Sequence, residues 1–112
     1  MREIKFRAWD KEIKKMFFGR PGDDRWYSKT GFLDVSMGGL IDCELMQYTG
    51  LKDKNGLAEV YEGDIVDEYG NIKGNIYQMD KGETDTVIQG FGTKTWCETY
   101  RRAILLGLKD AE

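Results

Sequence analysis

Apolar and polar residues alternate along the first third of the chain. Ile4, Phe6 and Ala8 fall on one side of a period-two pattern, with Glu3, Lys5, Arg7 and Trp9 on the other, which predicts a strand. The polar run at 10–15 turns the chain, and 16–18 predicts the returning strand of a hairpin whose outer face Trp9 closes by cross-strand packing. Residues 19–31, GRPGDDRWYSKTG, read as a loop that carries Trp26 and Tyr27. Leaving such aromatic surface in water is costly, so the pair either pins the loop to the core or forms a contact patch. Further strands are predicted at 32–35 and 45–48, separated by a flexible SMGG at 36–39. Others follow at 60–69, 72–79 and 86–91, with turns at Asn55-Gly56, at Tyr69-Gly70-Asn71 and at DKGETD, 80–85.

Near the end the period changes. Thr95, Trp96, Cys97 and Glu98 spell a capping box, in which hydroxyl and carboxylate satisfy the first amides of a helix. Trp96, Tyr100, Ala103 and Ile104 follow at helical spacing, Arg101 and Arg102 point elsewhere, and Gly107 stands where the helix should stop. The pattern predicts one mainly β domain spanning 1–112, a small SH3-like or partly open β-barrel over 1–91, with a carboxy-terminal α-helix at 92–108 packed against it.

Composition supports that class. Fourteen glycines against one proline in 112 residues favour tight turns over a helical bundle. Histidine is absent, which removes the commonest general base, the usual partner of a nucleophilic Ser or Cys, and the commonest transition-metal ligand. Cys43 and Cys97 match no metal or redox spacing and read as small, at least half-buried thiols. No apolar run approaches the roughly 20 residues that span a bilayer, and the first residues lack the apolar core of a signal peptide, so a cytosolic protein without a membrane role is expected.

The densest candidate chemistry lies in YTGLKDKNGLAEVYEGDIV, 48–66. Its carboxylates, with Asp67 and Glu68 beyond, fit no calcium-loop spacing and read as solvated charge and turn formers. Gly63 within the run predicts a bend, and Asp64 an acceptor for nearby amides. GFGTKT, 90–95, lacks the spacing of a phosphate loop and reads as a hinge. No catalytic residue, metal or cofactor is expected.

Charge is uneven. Residues 1–29 carry nine basic and five acidic side chains, a net of +4, so the other 83 residues carry −7 of the total of −3. Arg2, Lys5, Arg7 and Trp9 on one strand face, Lys14 and Lys15 opposite, and Arg25, Trp26 and Tyr27 beyond are the candidate interaction residues. Read with the exposed aromatics as anchors, they predict a homo-oligomer or another protein partner. The alternative is single-stranded nucleic acid held by the basic hairpin, through interleaved cations and stacking rings.

REIKFRAWDKEIKKM at 2–16, MQYTGLKDKNGLAEVYEGDIV at 46–66 and GNIYQ at 74–78 resemble the YopX family of small bacteriophage and prophage proteins. The match is specific across 1–16 and 45–66, where several unusual residues occur in the family's order. In typical members a GNIYEN segment closes the chain, whereas here the similar Gly74–Tyr77 lies mid-chain, and the end of this chain departs from that pattern. The resemblance implies a β-rich, phage-encoded protein of the bacterial cytoplasm that self-associates. It brings no activity and no catalytic residue.

Overall fold

A computed structural model of the protein describes residues 4–40, 42–89 and 101–110. The fold is mainly β, with antiparallel ladders that do not close on themselves among the described residues. Contacts gather the chain into two compact units, one within Glu3–Gln47 and the other centred on Tyr48–Glu112.

In the first unit, strands β1 (Phe6–Asp10), β2 (Lys15–Gly19), β3 (Arg25–Tyr27) and β4 (Phe32–Asp34) follow one another as neighbours, and the first half of β5 (Cys43–Lys52) pairs with the free side of β1. β1 is paired on both sides, and Ala8 on one face and Arg7 and Trp9 on the other are all buried. That corrects the expected solvent face for Arg7 and Trp9, although Trp9 does sit opposite Met16 across the hairpin. Ala8, Phe17 and Trp26 form the core, with Phe6 and Leu33 packed on them. Trp26 belongs to a three-residue strand inside the segment expected to be loop; Phe6 stacks on its ring at 6.2 Å and 15°. SMGG is not flexible linker: a 3-10 turn (Val35–Met37) starts at the Asp34 carboxylate, which accepts the Ser36 amide, and stops at left-handed Gly38.

The second unit continues along β5. β6 (Glu59–Tyr61) and β10 (Lys109–Asp110) pair with its second half, while β7 (Asp64–Val66) lies between β8 (Ile72–Asn75) and β9 (Thr86–Val87). The strand expected at 60–69 is therefore two strands, broken where Gly63 adopts φ +82°. The one expected at 72–79 ends at Asn75, whose side-chain oxygen accepts the Tyr77 amide and whose carbonyl accepts from Gln78 and Met79. Leu51, Val60, Val66, Ile88, Ala103 and Leu108 make the core of this unit.

The helical segment 101–105 ends as expected. Gly107, at φ +95°, donates to the Ile104 carbonyl and Leu108 to that of Ala103, the paired bonds of a Schellman stop. Ala103 and Leu108 are buried, whereas Ile104, expected on the apolar face, is half-exposed. The capping box at 95–98, with Trp96, Cys97 and Tyr100, lies outside the described residues, as do Arg2, GFGTKT and the end of the strand expected at 86–91.

Candidate interaction face of the first unit

The backbone takes up most of the carboxylates that could carry chemistry. The Asp53 carboxylate accepts the Leu57 and Ala58 amides at 2.9 and 3.3 Å, and Asp67 accepts those of Tyr69 and Asn71, both at 2.9 Å. Asp64, fully buried, accepts the Tyr61 amide at 2.8 Å across the Gly63 bend. Asp85 accepts from the Gly82 amide and from the Lys73 ammonium at 2.8 Å. Charged acceptors of amides are held ionised, since each bond stabilises the anion. The Leu57 amide foremost holds Asp53 below the ordinary carboxylate range, and the Asn71 amide does the same for Asp67. The Lys73 ammonium is the main cause at Asp85. Among the described residues no three His, Cys, Asp or Glu side chains are placed to hold a metal ion.

Cys43 is half-buried, with its thiol 3.7 Å from the Gly39 carbonyl. Burial first, then the carboxylates of Asp10, Asp42 and Glu44, push its pKa up. A thiolate is the nucleophile, so this environment makes a poor one.

The expected interaction residues separate into two sets. Trp26 and Trp9 are buried rather than exposed anchors, and Arg7 is buried with its guanidinium 3.4 Å from the Met46 sulfur. Lys5 is half-buried ahead of β1; Lys14 is exposed in the hairpin turn, at φ +54°. Lys15, Arg25 and Tyr27 are exposed and share a neighbourhood.

Strand register builds that neighbourhood. Phe18 stands opposite Tyr27, and Tyr27 opposite Phe32, so three rings fall in one row across β2, β3 and β4. Directly paired residues point to the same side of a sheet, and Trp26 between Arg25 and Tyr27 points to the other, into the core. The row stays in solvent: Phe18, Tyr27 and Phe32 are 46, 57 and 51% exposed. Tyr27 and Phe32 lie 6.2 Å apart and tilted by 52°, and the Arg25 guanidinium sits 4.6 Å over the Phe32 ring. Phe18 and Phe32 escape a reading of the sequence, because nothing local tells which face of a short strand is covered. The only local signal is the alternation Phe17-Phe18, one ring of which must face out.

Tyr27 divides two hollows. On one side a groove of about 580 Å³ is lined by Lys15, Met16, Phe18, Tyr27, Lys29 and Thr30. On the other, an open cleft is lined by Asp23, Asp24, Arg25, Tyr27 and Asp34.

No curated protein and no solved structure matches the chain at a significant level. The sequence profile described as YopX protein does match, over residues 5–103, which is most of the chain and includes every residue of the aromatic row; the protein belongs to the YopX family.

Proposed function

We propose that this YopX-family protein is a phage- or prophage-encoded accessory factor of the bacterial host's cytoplasm that acts by protein–protein contact, a second copy included, and catalyses nothing. One observation carries the reading: three half-exposed rings in register on one sheet face, with Arg25 stacked on the outermost. Aromatic and arginine side chains held rigidly by strands dominate binding energy at protein interfaces. Among the described residues no three His, Cys, Asp or Glu side chains are placed to hold a metal, and the aspartates nearest to chemistry serve turns. No helix among the described residues is long and apolar enough to cross a membrane.

A photo-crosslinking amino acid placed at position 27, with position 83 as an exposed control, tests this in host cells. A discrete adduct from 27 that Phe18→Asp abolishes, absent from 83, is the expected result. Sedimentation velocity over a concentration range shows whether the adduct is the protein's own dimer. No discrete adduct together with a monomer at every concentration would overturn the proposal.

A further inference from the structure

We infer that the groove beside Tyr27 takes a short extended peptide segment of a partner protein, with an apolar side chain at its centre, carboxylates on one flank and cations on the other. The inference rests on the reading of this face as a protein-binding surface and supplies the chemistry of what it holds.

The floor of the groove is apolar, made by Met16, Phe18 and Tyr27, and is large enough for one sizeable side chain. Lys15 and Lys29 stand at its wall, both exposed, and no described lining residue is acidic. An apolar group entering here buries its own surface and that of two half-exposed rings, while adjacent carboxylates meet two ammonium groups. Past Tyr27 the sign reverses. Asp23, Asp24 and Asp34 outnumber Arg25 in the neighbouring cleft, and Arg25 is drawn over Phe32. A segment lying across Tyr27 therefore meets positive charge at one end and negative charge at the other.

That polarity selects against the other occupant of aromatic and basic faces. A single strand of nucleic acid carries negative charge along its whole length, so a strand favoured by Lys15 and Lys29 is repelled one residue's width further on. The rings also do not offer a stacking ladder: Tyr27 and Phe32 are tilted by 52°, and a guanidinium covers one face of Phe32.

The test pans a displayed library of random short peptides against the full-length protein and against Tyr27→Ala. Enriched peptides should carry a central apolar residue, Asp or Glu on one flank and Lys or Arg on the other. A labelled peptide of that pattern should lose about tenfold or more in affinity with Tyr27→Ala, the scale of an interface hot spot. Lys15→Glu with Lys29→Glu should weaken the same peptide and shift enrichment towards basic residues on the flank that had been acidic, a readout that a merely misfolded variant would not give. Three outcomes overturn the inference. One is no enriched class, or the same class on Tyr27→Ala. Another is salt-dependent binding of labelled oligothymidylate that Lys15→Glu with Lys29→Glu abolishes. The last is a crosslink from position 27 only to a second copy of the chain. A crosslinked foreign protein combined with failed panning would sink the peptide groove and leave the proposed function standing, because a folded partner surface would then be the ligand.

Discussion

At the scale of single residues, aspartate and glycine share one task. Asp10, Asp23, Asp34, Asp53, Asp64, Asp67 and Asp85 each accept a backbone amide within five residues in sequence, on a side chain short enough to reach it. Asp64 does so in the dry interior, where an amide left without its acceptor is costly. Replacing Asp64 by alanine should lower stability by about 1–3 kcal/mol in urea unfolding, and by asparagine less, since an acceptor remains. Gly19 is required for a different reason: a β-carbon there would land on the Trp26 indole. Gly19→Ala should cost about 1–3 kcal/mol, the usual penalty of overpacking, and should change the near-ultraviolet signal of the tryptophans. The Cys43 thiol, raised by burial and three carboxylates, should react with a disulfide reagent more slowly in the folded protein than in urea, with a rate that rises at higher pH than for a free thiol. Rapid labelling at neutral pH would contradict that environment. Some of these roles were legible in advance. Gly63-Asp64 reads as a corner because glycine tolerates positive φ and aspartate bonds to nearby amides, and the corner is there.

At the scale of elements, the ends of strands were harder to read than their existence. β5 runs ten residues, not four, because Thr49 and Gly50 form a bulge instead of a stop. Tyr48 pairs with Tyr61 and Leu51 with Val60, leaving two residues on one strand opposite none on the other. The Thr49 hydroxyl repairs the ladder, donating to the Val60 carbonyl at 2.6 Å and accepting from the Leu51 amide at 3.1 Å. Thr49→Val keeps the shape and removes both bonds, and should cost about 1–3 kcal/mol in the same unfolding measurement. If stability is unchanged, the hydroxyl is not what holds the bulge. β3 is invisible to periodicity, since three residues hold too little pattern to distinguish a strand from a loop. Its existence depends on pairing with β2 on one side and β4 on the other.

For the whole molecule, charge supplies the most testable behaviour. Asp53, Asp67 and Asp85 are all held ionised in the folded state, below the value of about 3.9 expected for an unfolded aspartate. In the acid range the unfolded chain then binds more protons than the folded one, so stability rises with pH there. The contribution is complete above the unfolded pKa and is lost as pH falls through the folded values. Urea midpoints against pH should fall below about pH 4, and Asp67→Asn should flatten part of that slope. A midpoint independent of acid pH would refute the turn-fixing role of these carboxylates.

What the chain determined by itself is whatever depends on neighbours in sequence: the turns, the helix stop at Gly107, the mainly β character and the YopX membership. These follow from backbone sterics, short side-chain reach and alternation, which need no tertiary partner. Which aromatic rings face water was decided only by what packs over each face of the sheet. β1 is buried on both faces, taking Arg7 and Trp9 with it, while in the same sheet β2, β3 and β4 leave Phe18, Tyr27 and Phe32 about half-exposed on one face. Exposure is set by what lies over each face of a strand, and a one-dimensional pattern does not contain that.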